Sequence, residues 1–378
     1  MTANFSETEE RLIAKSKEFA KNILEPNASH WARGEQLGRD FFLQAAEYEL
    51  CGLLAPAQTG GGGLGYHAFA CVLEQLAAVC FASTFALVVH NNLVSNIARN
   101  GDEEHKKLLP AMLAGKKIGA FLLTEPNAGS DASAIVTTVQ KVDGQGQLSG
   151  AKAWITNGSI ADVLSIYIQT EPGAGAKGIA NYLIDAESPG VTRTASYELA
   201  GAGAMNVCGF EFSQSPLNQK DLMIEAGRAF KVAMAGIDLA RAVVAAMCCG
   251  MLKRSLQISV EYGKARQVFG QSVATHQYPQ HLLADVSTDL EAARALTDKA
   301  LRALERSGGA TVAAAHAKKF ATKIALQRIA DCMQMMGANG ALGEYPMSRH
   351  LACAKLAQYV DGTSEIQNVV LARELFKA

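Results

Sequence analysis

The chain has almost no net charge. Among its 378 residues, 35 Lys and Arg stand against 36 Asp and Glu, a formal charge of -1. That leaves no broad electrostatic footprint for nucleic acid or an anionic bilayer, so neither partner is expected and any anionic ligand must be met by local groups. CxxC pairs are also missing. The eight cysteines (Cys51, Cys71, Cys80, Cys208, Cys248, Cys249, Cys332 and Cys353) mostly sit beside Ala, Leu and Met in apolar helical patterns, which reads as buried free thiols in a reducing cytoplasm. The most apolar run, Leu76 to Val89, falls short of the ~20 residues of a membrane-spanning helix and is expected to be one core helix. Residues Met1 to Phe19 carry Glu7, Glu9, Glu10 and Arg11 without the basic start and apolar stretch of a signal peptide, so cytoplasmic residence is expected. His276 and His281 lack a third metal-type partner at suitable spacing, so no metal is expected. The Gly60 to Gly63 run has no GK[ST] after it and no clear strand before it, and is expected to be a flexible bend rather than a phosphate loop.

What is present has three textures, as befits a chain too long for one small core. From Thr8 to about Gly115 apolar positions recur at three and four residues, broken by Pro26, Pro56 and the glycine run, and no convincing strand appears. Between about Ile118 and Leu222 lie short β-favouring runs, Ala120 to Thr124, Leu164 to Gln169, Ala180 to Ile184 and Phe210 to Phe212. Turn formers such as Pro126 to Gly129 and Asp143 to Gly146 separate them. Helical periodicity then returns near 227–264, 275–307, 310–336, 346–358 and 364–377, punctuated by Gly308-Gly309, Gly337 to Gly340 and Gly362. The expected fold is mainly α with a β domain: an N-terminal helical domain (1–116), a central antiparallel β domain (117–225) and a C-terminal four-helix-type bundle (226–378). No internal repeat or low-complexity linker interrupts it.

Three stretches carry chemistry. Leu123 to Asp131 leaves a strand, turns through Pro126 and Gly129, and presents the Thr124 and Ser130 hydroxyls beside backbone N–H groups, a corner able to bond an electron-rich ring or a phosphate; taken alone it reads as a turn with side-chain caps. Lys152 to Gly158 offers a flat indole at Trp154 and a hydroxyl at Thr156, or simply a half-buried strand ending in an Asn-Gly turn. The third runs through Gln334 to Gly340, Gly343 to Pro346 and Tyr359 to Gln367. With these the chain resembles the acyl-CoA dehydrogenase family: TEPxAGSD, WITNG, RQxFGQ, HQ, QxxGxxG, EYP and GTSEIQ elements occur in the family's order and spacing from residue 123 to 373, and several motifs in register are far more specific than any one.

The resemblance implies FAD, an acyl-CoA substrate, an electron-transfer flavoprotein as acceptor, and a homotetramer built as a dimer of dimers. It assigns Phe121 and Leu123 to the cofactor and Thr124, Ser130, Trp154 and Thr156 to its flavin ring, with Ser130 also near the thioester. Arg266, Phe269, Gln277 and Gln334 match residues reaching the FAD of a neighbouring subunit, Gly337 is a further cofactor-binding position, and Thr363 and Glu365 match the diphosphate region. Ser364 with Gln367 independently reads as a capping box, whose helix N-terminus suits phosphate. Asp238 and Arg241 match a DxxR element at the CoA end, and Val360, Gly362 and Arg373 fall on the substrate side. Each of Asp238, Arg241 and Arg373 can also be read as part of an ordinary helix-surface salt bridge.

The family reaction needs a carboxylate to take the α-proton while the β-hydrogen leaves as hydride, with the thioester oxygen held to stabilise enolate-like charge. Most members place a glutamate before the Gly-Thr; this chain has Asp361. Other members use a glutamate directly before the DxxR arginine, and here that position is Ala240. Asp361 is therefore the expected base, its pKa rising as substrate displaces water. Its carboxylate stops ~1 Å or more short of a glutamate's, a misplacement that can cost about a hundredfold in rate. Alicyclic members of the family use aspartate here, so an alicyclic or α-branched acyl-CoA such as cyclohexanecarboxyl-CoA is the expected substrate. The alternatives are a short straight-chain acyl-CoA or acyl-carrier-protein dehydrogenase, an acyl-CoA oxidase, and a catalytically silent flavin-binding partner subunit. Val360 replaces a frequent aromatic beside the base, Ala338 a usual glycine, and Leu351 to Lys355 lacks the family's Arg-Asp pair.

Overall fold

A capping box opens the first helix: the Ser6 side chain accepts from the Glu9 N–H while Glu9 reaches back to the Ser6 N–H at 2.9 Å. In the computed structural model, which describes residues 5–142, 145–306 and 310–377, that helix is α1 (Glu7–Phe19). It is followed by α2 (Glu25–Ala32), α3 (Asp40–Glu47), α4 (Tyr66–Ala77), α5 (Phe81–Asn100) and the short α6 (Glu103–Lys106) and α7 (Leu109–Leu113). The Leu76 to Val89 run is thus two helices rather than one. The chain breaks at Cys80, whose backbone is extended (φ -148°, ψ 101°). No proline or glycine marks that break, so apolar periodicity ran straight through it.

The glycine run is also different from expectation. The Gly61 N–H donates to Pro56 O and the Gly62 N–H to Gly52 O, and a Cβ on Gly61 would lie 2.2 Å from Ala55 O. These glycines let two backbone segments touch, which makes a packed crossing and not a flexible bend.

The sheet follows: β1 (Gly119–Leu122), β2 (Thr138–Val142), β3 (Gln145–Ile155), β4 (Val163–Gln169), β5 (Ile179–Asp185), β6 (Val191–Arg193), β7 (Cys208–Leu217) and β8 (Leu222–Ile224). Its order is β6-β7-β3-β2-β4-β5-β8, with β1 also on β4. Most pairings are antiparallel, but β1 runs parallel to β4, as does β2 at its single Thr138–Gln169 contact. The parallel pair is possible because the 123–162 segment carries the chain back across the sheet, as parallel strands require. β4 is buried throughout, explaining why it was legible as a continuous apolar run, whereas the polar β2 and most of β3 were not. Part of the expected turn at Asp143 to Gly146 and the Gly308-Gly309 break lie outside the described residues.

The last part comprises α8 (Ala229–Ala265), a two-strand hairpin β9 (Gln267–Val268) and β10 (Gln271–Ser272), α9 (Gln277–Glu305), α10 (Ala310–Met336), α11 (Met347–Ala357) and α12 (Ser364–Leu375). α8 is long and apolar enough to cross a membrane, but 67% of its apolar window is buried inside the protein, where it packs on α4, α9 and α10. One continuous apolar core joins α1, α4 and α5 to α8–α11, so the first helices and the bundle are not independent bodies. All eight cysteines are free, seven of them buried.

Candidate active site

Where β1 ends, a buried ion pair fixes the corner that carries Thr124. Lys152 Nζ donates to Glu125 Oε1 at 2.8 Å and to Leu123 O at 3.0 Å, with the two side chains 0% and 3% exposed. Glu125 also accepts from the Val136 N–H (2.8 Å) and the Thr137 N–H (3.0 Å). Burial alone would raise the Glu125 carboxyl, but the Lys152 charge and these donors bring it below the usual range; burial pushes Lys152 down to about 8. Glu125 lies in the Leu123 to Asp131 stretch and Lys152 opens the Lys152 to Gly158 stretch, yet only the folded chain shows that they staple the corner together. Leu123 itself is buried among apolar neighbours, and Phe121 packs on Tyr167 with ring centres 5.1 Å apart. Ser130 is exposed beyond the turn.

Trp154 is turned out of the sheet. The β3–β7 register shifts between Lys152 and Ile155, and Trp154 has φ +61°, so a β-bulge points the indole outward, 61% exposed. Its ring centre lies 4.8 Å from that of Tyr197, the two planes at 64°. The Ala153 N–H donates to Thr124 O at 3.0 Å, placing Thr124 and Trp154 side by side. Thr156 is buried just beyond. The Asn-Gly turn after it does more than reverse the chain: buried Asn157 donates to Ala86 O (2.9 Å) and Gly119 O (3.1 Å), tying β3 to α5 and β1.

On the bundle side, residues 358–363 link α11 to α12. The α12 cap is Thr363, whose Oγ1 accepts from the Ile366 N–H at 3.4 Å; Ser364 is the first helical residue and not the cap. Gln367 instead donates back to Gly362 O at 2.9 Å. Asp361 has φ +53° and Gly362 φ +92°. A Cβ at Gly362 would sit 3.1 Å from Gln367 Nε2 and 3.3 Å from Arg241 Nη2, so the positive φ favours glycine there and a side chain would have to push those two groups aside.

Arg241 and Asp238, matched in sequence to the CoA end, are tied into the protein by internal hydrogen bonds. Both are buried; Arg241 Nη1 donates to Asp238 Oδ1 at 2.9 Å and its Nε to Asp361 O at 3.1 Å, while Thr311 donates to the other Asp238 oxygen. Helical spacing put the pair on one face but could not say which element that face would meet. Asp361 keeps some exposure as a residue, but its Oδ2 is buried with no hydrogen-bond partner. Burial pushes its carboxyl up to about 6, against the lowering pull of Lys318 and Arg241. Lys318, absent from the sequence reading, donates to Gly362 O at 2.7 Å. Val360 is half-buried against the core, and Ala240 is buried, offering no second carboxylate. Glu365 is exposed in the first turn of α12, and Arg373, ten residues after the cap, is exposed ~15 Å further along the axis.

A third group gathers at one end of the bundle. Arg266 follows α8, Phe269 (φ +50°, 95% exposed) tips the β9–β10 hairpin, and Gln277 begins α9. Gln334 and Gly337 lie near the end of α10, also exposed. Met335 packs against Gly263, and Asn339 donates to the Tyr262 hydroxyl at 2.8 Å, so the two clusters share that end.

An exposed indole beside Thr124 is open to a planar ring, and the Thr363-capped start of α12 suits a phosphate, so these residues fit FAD. Three family models cover the chain in order: the acyl-CoA dehydrogenase N-terminal domain at residues 6–116, the middle domain at 120–215 and the C-terminal domain at 227–376. Mitochondrial isovaleryl-CoA dehydrogenase of Oryza sativa subsp. japonica is 32% identical over 377 residues, covering 99% of this chain and 92% of its own. Mitochondrial 2-methylacyl-CoA dehydrogenase of Solanum tuberosum is 32% identical, covering 98% and 91%. The solved structure of butyryl-CoA dehydrogenase from Megasphaera elsdenii superposes with a TM-score of 0.94 at 30% identity over the whole of both chains. Three domains matched in order, over a site whose parts fit a flavin, place this chain in the acyl-CoA dehydrogenase family as an FAD-dependent oxidoreductase acting on the CH–CH bond of an acyl-CoA.

Proposed function

We propose that Asp361 is the base of this dehydrogenation and that the substrate is an alicyclic or α-branched acyl-CoA. The observation that carries the reading is the buried, unpartnered Oδ2 of Asp361 on a loop held by two cations, with Ala240 where another carboxylate could have served. A carboxyl raised to about 6 is still largely ionised at neutral pH and basic enough to take an α-proton. The shorter aspartate favours an α-carbon displaced by a ring or branch, and Val360 in place of an aromatic leaves room for it. FAD supplies the acceptor for the β-hydrogen. Thr124, Trp154 and Thr156 hold its ring, Ser130 and Gly362 face the thioester, and Arg373 stands at the rim. Arg266, Phe269, Gln277, Gln334 and Gly337 reach the FAD of a neighbouring subunit in a homotetramer, and an electron-transfer flavoprotein in the cytoplasm reoxidises the enzyme.

Anaerobic titration with cyclohexanecarboxyl-CoA, 2-methylbutyryl-CoA, butyryl-CoA and octanoyl-CoA, followed by flavin bleaching, tests this. Bleaching by the cyclic or branched thioester, lost in Asp361→Ala, is expected. Bleaching by the straight chains alone rejects the substrate class. Bound flavin that no thioester bleaches rejects catalysis and favours a partner-subunit role.

A further inference from the structure

Lys318 lies on α10 with no exposed surface, among Ala314, Ala317 and Ala321. A buried ammonium is costly, and burial pushes this one down to about 8. Its hydrogen bonds run to Gly362 O at 2.7 Å and, more loosely, to Gln358 O at 3.5 Å, spanning both ends of the loop that carries Asp361. The charged and titratable groups facing it are few. From α8 come Arg241, engaged with Asp238, and the neutral thiol of Cys248; from the loop comes Asp361; from α12 comes the exposed Glu365. Of the two anions, only Asp361 has a buried oxygen without a partner. Packing alone would be met by a methionine, so the charge has another use.

We propose that Lys318 is a positioning residue of the reaction: by bridging the two loop carbonyls it fixes where the Asp361 carboxylate points, and its charge keeps that carboxylate ionised as substrate expels water. The inference rests on the reading of Asp361 as base. Arg241 anchors the carbonyl of Asp361 from one helix and Lys318 that of Gly362 from another, so the two successive peptide units that follow the base side chain are held from different elements. An aspartate has little reach of its own, and backbone placement decides its distance to the α-carbon. A drift of ~1 Å costs about a hundredfold.

The test compares full-length, FAD-loaded Lys318→Met and Lys318→Gln with wild type in anaerobic stopped-flow reduction across pH, using whichever of the four panel thioesters reduces wild type fastest. For Lys318→Met we expect full flavin content, a half-saturating concentration within about threefold of wild type, and a limiting rate about a hundredfold lower at neutral pH. The acid limb should move up by about one pH unit, because the base has lost an opposite charge. Lys318→Gln keeps a donor for the Gly362 carbonyl without the charge; it should regain part of the rate while its acid limb stays raised. A limiting rate within about twofold of wild type with an unmoved limb overturns the proposal. So does a loss equal at every pH that tracks flavin loss, or failure of both variants to fold, since either assigns Lys318 to packing. Asp361→Ala runs alongside. If it still reduces the flavin, the base reading falls; if it is inert while Lys318→Met is unaffected, only the inference about Lys318 falls.

Discussion

At the scale of single residues, Asp361 combines a left-handed backbone with a buried oxygen that nothing satisfies, both unfavourable for folding. Its carboxyl, normally at 3.8, is raised to about 6 in the folded chain. A carboxyl raised on folding leaves stability intact below the unfolded pKa and loses it as pH rises through the folded value. Asp361→Asn should therefore be more stable than wild type at pH 8, by on the order of 1–2 kcal/mol after allowance for its partial exposure, with the gap closing toward pH 4. Urea unfolding at the two pH values checks this; a difference that does not change with pH would separate the gain from the carboxylate's charge. Asp361 was visible in the sequence because a motif surrounds it. Lys318 was not, because an isolated lysine in an alanine-rich helix looks like a solvated charge until packing shows which way it faces.

At the scale of elements, the Glu125–Lys152 pair shows how one interaction sets the geometry of a whole corner. It joins the exit of β1 to β3 and to the chain entering β2, and Thr124 lies between its anchor points. Lys152→Met should leave Glu125 buried without its counter-charge, destabilising the protein by on the order of 3–5 kcal/mol and releasing FAD more readily. The double variant Lys152→Met with Glu125→Gln should recover much of the stability. Thermal unfolding with flavin release followed in the same sample measures both; a single variant as stable as wild type would show the pair to be dispensable. The bulge at Trp154 belongs to the same scale. Strand propensity located the run, but the register shift that turns the indole outward depends on β7, some fifty residues away. Helix boundaries were readable where Gly or Pro punctuated them and unreadable at Cys80, where neither does.

At the scale of the whole molecule, the hairpin tip is the strongest sign of an unfinished surface. Phe269 is 95% exposed beside Arg266, at the end of the bundle that also presents Gln334. Under the proposed assembly, Phe269→Ser should shift the protein toward smaller species in sedimentation velocity and weaken flavin retention about tenfold, the loss of roughly one aromatic contact at an interface. A wild-type protein that sediments as a monomer with tightly held FAD would reject the shared site.

The sequence by itself determined the order of helices, sheet and helices, the location of most apolar elements, and the family through motifs kept in register. These are properties of local pattern and spacing, which the linear chain carries in full. Only the tertiary structure decided that β1 runs parallel to β4, that the glycine run is a packed crossing, and that Arg241 and Lys318 converge on the loop of Asp361. The strand pairing and the convergence on Asp361 depend on contacts between segments far apart in the chain, and the crossing on close backbone contacts that no periodicity encodes. A residue's periodicity shows that it is turned inward or outward, but the group it meets there is fixed only when distant elements pack together.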